Sequence, residues 1–141
     1  MNVLVIDGQG GRLGAQLLRE AAARFPDAEL SAVGTNAIAT SAMLKAGAIH
    51  AATGENAVRV ACRRADFILG PIGIVIADAL MGEVTPAMAA AVGQADAVRI
   101  LLPVNRCATV IAGVRDPGAA ALVSDALDRL AELLDKRPET C

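Results

Sequence analysis

Apolar runs of strand length alternate with helix-like segments along most of the chain. Val3–Ile6 is a short, mostly β-branched run, followed by a glycine-rich turn and a helical pattern from about Arg12 to Arg24. Glu29–Val33 reads as a second strand ended by Gly34, and Asn36 is placed to cap a helix running to Lys45, with Gly47 as its stop. A weak third strand is expected near Ala48–Ala52 and a helix from Thr53-Gly54 to about Arg64. Asp66–Leu69 supplies a fourth strand that opens onto Gly70-Pro71-Ile72-Gly73. From Ile74 the pattern predicts two helical pieces, the first ended by Gly82 and the second started by Thr85-Pro86. Val98–Leu102 is the fifth strand. Because a parallel crossover needs a dozen or more residues, the nearby Thr109–Ala112 run is expected to pair with it as an antiparallel edge hairpin. Asp116-Pro117 then starts a last helix carrying Leu122, Leu127, Leu130 and Leu134 on one face.

This alternation predicts an α/β fold, a Rossmann-like doubly wound three-layer sandwich with a mostly parallel sheet of five or six strands. Residues 1–136 form one domain in this reading and 137–141 a frayed tail. A helical bundle is the rival architecture, and the β-branched runs bounded by Gly or Pro count against it.

Composition narrows the function classes. With 141 residues, 55% of them hydrophobic, the chain suits one domain with a single core. The run Phe67–Ala77 is broken by Gly70, Pro71 and Gly73, and no segment supplies the roughly 20 apolar residues of a membrane span. Nor does the N-terminus read as a signal peptide. The net charge of −2, without a basic tract and with Phe25 and Phe67 as the two aromatic residues, argues against a nucleic-acid partner. Three cysteines without CxxC spacing suggest a reduced, cytoplasmic protein. So apolar a small domain is expected to hide a face in a homodimer.

In an open α/β sheet, ligands bind outside the carboxyl ends of the strands. Five turns would converge there: residues 7–14, 34–36, 53–56, 70–73 and 103–106. Glycines at 8, 11 and 14 follow GxxGxxG, a spacing used by some dinucleotide-binding oxidoreductases, while strict GxGxxG fails at Leu13. Such glycines let backbone approach a phosphate at a helix N-terminus; the competing reading is a tight strand-to-helix turn without ligand. Asp7 would repel a bare phosphate. It is placed to bind Mg²⁺, to hold a ribose hydroxyl, or to accept hydrogen bonds from its own loop. A standard NAD site carries an acidic residue after the second strand, where this chain has Gly34-Thr35-Asn36. In the usual strand order 3-2-1-4-5, Gly70–Gly73 would face the first loop across the crevice.

His50, the single histidine, reads as a packed core or interface residue, and no zinc-type ligand set or other metal site is expected. Asp78 and Glu83 read as caps or solvated charges more readily than as acids or ligands. The cysteines Cys62 and Cys107 read as small buried hydrophobes.

The segments Ile6-Asp7-Gly8-Gln9-Gly10-Gly11, Gly34-Thr35-Asn36, Ala39-Thr40, Met43–Ala48, Ala52–Ala57, Gly70–Ile74 and Gly82–Pro86 together resemble a small bacterial family grouped as a domain of unknown function. The resemblance spans about residues 2–114 and implies a compact cytoplasmic bacterial protein. It lends no activity.

The residues themselves point to binding of a nucleotide or another phosphorylated small molecule at the carboxyl edge of the sheet. Gly8, Gly10, Gly11 and Gly14 would cradle the phosphate, and Gly70 and Gly73 would close the far wall. Thr35, Asn36, Asn56 and Asn105 would orient polar groups, with Arg106 or Arg12 as anion clamp. Asp7 and Glu55 are the acid–base candidates should the protein turn a substrate over. The cofactor is undetermined, with NAD(P) or another nucleotide compatible. Two alternatives stand beside this reading: a non-catalytic regulatory or assembly module with structural glycine loops, and an NAD(P)-dependent oxidoreductase.

Overall fold

The computed structural model describes residues 1–104, 108–116 and 118–136. Five strands, β1 (Asn2–Asp7), β2 (Glu29–Gly34), β3 (His50–Thr53), β4 (Phe67–Pro71) and β5 (Val98–Leu102), form one sheet in the order β3-β2-β1-β4-β5. Every pairing is parallel, and β1 matches β2 from Asn2↔Glu29 to Asp7↔Gly34. The helices are α1 (Arg12–Arg24), α2 (Ala37–Lys45), α3 (Glu55–Cys62), α4 (Pro86–Gly93) and α5 (Ala119–Asp135).

The period of two in β1 builds two cores. Val3 and Val5 face Leu17, Leu18, Met43 and Leu127 from α1, α2 and α5. Their neighbours Leu4 and Ile6 face Val58, Met88 and Val92 from α3 and α4. Because both faces are covered, the strands are continuous apolar runs. Asn36 and Thr85 cap α2 and α4 as the sequence suggests: Asn36 Oδ1 accepts from the Ala39 N–H at 2.9 Å, and Thr85 Oγ1 from the Met88 N–H at 3.1 Å.

Two expectations fail. The antiparallel edge hairpin is absent among the described residues: Thr109–Ala112 forms no strand, and the sheet is wholly parallel. An apolar run alone does not make a strand. Here Val110 stands 90% exposed, without a covering layer. The helical piece expected from Ile74 to Gly82 is a 3-10 turn, Ile72–Val75, followed by a compact loop. Asp78, Leu80 and Met81 take left-handed φ values of 64°, 54° and 57°, which no right-handed helix accommodates. The proposed tail 137–141 and the candidates Asn105 and Arg106 lie outside the described residues, as do Cys107 and Cys141.

No helix among the described residues is long and apolar enough to cross a membrane. Cys62 is buried, which pushes its thiol up to about 11 and leaves it un-ionised at neutral pH. His50 is not a core residue: it is exposed on the edge strand β3, 3.7 Å from Glu29.

Candidate functional site

A cleft of about 460 Å³ opens at the carboxyl end of β1 and β4. One wall is the β1–α1 loop, Asp7 to Leu13, with Gln16 behind it. The other is apolar: Pro71, Ile72, Gly73, Ile76, Leu80 and Val104. It lies at the point where the strand order reverses, the usual ligand position of an open α/β sheet.

Asp7 ends β1 and is 6% exposed. Its Oδ1 accepts from the Gly8 N–H and its Oδ2 from the Gly14 N–H, both at 2.8 Å. The carboxylate thus caps the first turn of α1 from the preceding strand, where the helix dipole favours negative charge. Burial pushes its pKa up, the two N–H bonds pull it down, and the nearby Glu83 pushes it up again, leaving it raised.

With Gly8 and Gly14 committed to Asp7, the Gln9 N–H donates to Glu83 and the Gly11 N–H to the Gly8 carbonyl. The N–H groups of Gly10, Arg12 and Leu13 have no partner among the described residues, and all three residues line the cleft. Arg12 is the one cation among the described lining residues.

The glycines divide into two kinds. A Cβ on Gly11 would meet the Ala39 backbone at 2.7–2.8 Å, and one on Gly14 the Met43 Sδ at 2.5 Å, so these residues let α1 pack on α2. Gly70 lets β4 approach the Ile6 carbonyl. At Gly10, by contrast, a Cβ would find nothing nearer than the Arg12 side chain at 4.0 Å, and φ is not positive. Gly73 lines the far wall with room for ordinary contact.

Thr35 and Asn36 lie at the end of β2 outside the cleft lining and are engaged by Glu83. Its Oε2 accepts from the Gln9 N–H at 2.8 Å, the Thr35 hydroxyl at 2.5 Å and Asn36 Nδ2 at 3.1 Å. Partial burial pushes the Glu83 pKa up, but those three donors outweigh it and hold the carboxyl below its ordinary value. Glu55 and Asn56 are exposed in the first turn of α3 and do not line the cleft. Sequence reasoning treated Glu83 as a cap or solvated charge and passed over Gln9; the one signal available was the Gly82-Glu83 turn close before a helix cap. Among the described residues no three His, Cys, Asp or Glu side chains gather as a metal site.

No curated protein matches the chain. Among solved structures it is distantly similar to the dodecameric FMN-dependent UbiX-like decarboxylase from Escherichia coli O157:H7. The two share 16% identity over 93% of this chain and 94% of that one, with a TM-score of 0.46. The family model described as Domain of unknown function (DUF3842) matches residues 2–135, nearly the whole length, and the protein belongs to that family.

Proposed function

We propose that the cleft binds a nucleotide or another phosphorylated small molecule. Its phosphate sits on the N–H groups of Gly10, Arg12 and Leu13, with the Arg12 guanidinium beside it. The observation that carries this reading is the set of three N–H groups at the start of α1 without a partner among the described residues, opening into a cleft of about 460 Å³. A helix N-terminus with free donors and an adjacent cation favours an anion. The opposite wall, from Ile72, Ile76, Leu80 and Val104, suits an apolar or planar body. Catalysis is not part of the proposal, since both Asp7 oxygens are engaged and Glu55 stands apart.

The test is thermal unfolding against nucleotides, flavin nucleotides and sugar phosphates. A ligand at 100 times its Kd adds about 2.7 kcal/mol, which at about 3–5 °C per kcal/mol is a rise of about 8–14 °C. Gly10→Ala should separate ligand from fold. Its methyl meets no clash, so the melting temperature should stay level or rise by the equivalent of about 0.4–1 kcal/mol. The ligand-induced rise should shrink to less than half. A full rise in the variant contradicts the phosphate position, and a flat panel for wild type leaves the structural-module reading.

The macromolecular partner in this reading is a second copy of the chain. Ile38 (71% exposed), Leu44 and Ile49 stand out from α2 and from its turn into the edge strand β3. Sedimentation at micromolar concentration should show a dimer, which Ile38→Lys with Ile49→Lys should dissociate; a wild-type monomer removes the proposal.

A further inference from the structure

The loop 76–84 forms one wall of the cleft and also reaches across to the end of β2. It is closed on itself by hydrogen bonds, Asp78 N–H to the Val84 carbonyl at 2.8 Å and Val84 N–H to the Ala79 carbonyl at 3.2 Å. Ala79 and Val84 anchor its base in the core, while Met81 at its tip is 94% exposed. Three non-glycine residues in left-handed conformation make it a costly segment, so something must hold it. Beside the loop's own hydrogen bonds and buried base, the Glu83 carboxylate ties it to the rest of the fold. One oxygen, Oε2, takes donors from two separate loops: the Gln9 N–H, the Thr35 hydroxyl and Asn36 Nδ2. The Asn36 amide and the Thr35 backbone are held by other bonds as well. Asn36 Oδ1 is fixed by the Ala39 N–H, its Nδ2 also donates to the Gln9 carbonyl at 2.9 Å, and the Thr35 N–H donates to the Asp7 carbonyl at 3.0 Å. Gly8 makes room for the seat, since a Cβ there would lie 2.5 Å from Thr35 Oγ1 and 2.6 Å from Glu83 Oε2.

We propose that Gln9, Thr35 and Asn36 form an oxyanion subsite, occupied by the chain's own Glu83 carboxylate, and that an anionic group of the ligand displaces it and unlatches the loop 76–84. This rests on the reading of the adjoining cleft as a ligand site and extends it to a second anionic group. Three donors converging on one point suit an oxyanion of carboxylate or phosphoryl type. Gly8 and Gln9 line the cleft, so a ligand whose phosphate rests on Gly10 and Arg12 has the subsite next to it. Leu80 is both cleft wall and neighbour of Gly8, so release of Glu83 moves a wall of the cleft. Coupling of this kind is reciprocal: whatever factor the latch costs the anion, the anion costs the latch.

The experiment uses wild type, Glu83→Ala and Glu83→Gln, with inorganic pyrophosphate and malonate as phosphoryl and carboxylate probes. Amide hydrogen exchange reads the loop and calorimetry reads binding. Without any probe, exchange at residues 80–84 should accelerate at least tenfold in Glu83→Ala and less in Glu83→Gln, which keeps an acceptor. At least one probe should bind Glu83→Ala ten times or more tighter than wild type, and the tighter of the two assigns the subsite's chemistry. Unchanged exchange at 80–84 overturns the latch, and equal or weaker binding of both probes by a folded Glu83→Ala overturns the subsite. Should Glu83→Ala not fold, Glu83→Gln decides by the same two readouts at threefold or more. Failure of the cleft reading looks different: no nucleotide or sugar phosphate shifts wild type, whatever Glu83→Ala does with pyrophosphate.

Discussion

Gly11→Ala is expected to lower the melting temperature by about 6–25 °C, with or without any ligand. The added methyl would lie 2.7 Å from the Ala39 Cα and 2.8 Å from its carbonyl oxygen. Both are backbone atoms, so neither can turn aside as a side chain does. The residue also holds φ at 69°, where a Cβ costs about 1–2 kcal/mol by itself. Overpacking adds about 1–3 kcal/mol, giving about 2–5 kcal/mol in all at about 3–5 °C each. Differential scanning calorimetry of the apo protein checks it. A loss under 3 °C would mean that α1 and α2 slide apart freely and that Gly11 serves something other than their packing.

Asp7→Ala should cost about 2–4 kcal/mol, a fall of about 6–20 °C in melting temperature. It strands the buried N–H groups of Gly8 and Gly14, whose only acceptors among the described residues are the two Asp7 oxygens. A hydrogen bond to a charged group contributes about 1.5–3 kcal/mol, and relief of a buried negative charge offsets part of the sum. The pH dependence has a definite sign. The folded-state pKa of Asp7 is raised above its ordinary value of 3.8, so the native state holds this proton more tightly than the unfolded chain. That contribution is complete below 3.8 and is lost as pH rises through the folded-state value. The deficit of Asp7→Ala relative to wild type should therefore widen on acidification toward 3.8. Melting curves of both proteins between pH 7 and 3.5 test this; a deficit that narrows in acid would place the Asp7 pKa below its ordinary value.

The two variants show where the sequence was legible. The five strands and both side-chain caps follow from local patterns, because apolar runs of strand length and Thr/Asn caps are written within a few residues. The order β3-β2-β1-β4-β5 is the usual one for such folds and is written in no local run. The residues 74–82 and 109–112 misled for one reason: apolar content without the backbone conformation. Left-handed φ at Asp78, Leu80 and Met81 is imposed by the hydrogen bonds of the closed loop, a tertiary fact. In the first turn, the spacing of Gly8, Gly11 and Gly14 suggested phosphate, yet Gly11 and Gly14 face α2; Gly10, between the repeats, faces the cleft. Glu83 is 76 residues from Asp7 in the chain and meets Gln9, Thr35 and Asn36 only through the fold, so no local motif announces it.

The central claim is that the free N–H groups at the start of α1 receive a phosphate. It is tested most directly by amide NMR of the ¹⁵N-labelled protein titrated with AMP, FMN, NAD⁺ and ribose 5-phosphate. The account predicts that at least one of them shifts the Gly10, Arg12 and Leu13 amides first and furthest, saturably, and that Gly10→Ala weakens the response. Saturable shifts confined to the separate groove between β3 and α3, around Ala57 and Val60, would contradict it. So would a spectrum unchanged at millimolar concentrations of all four.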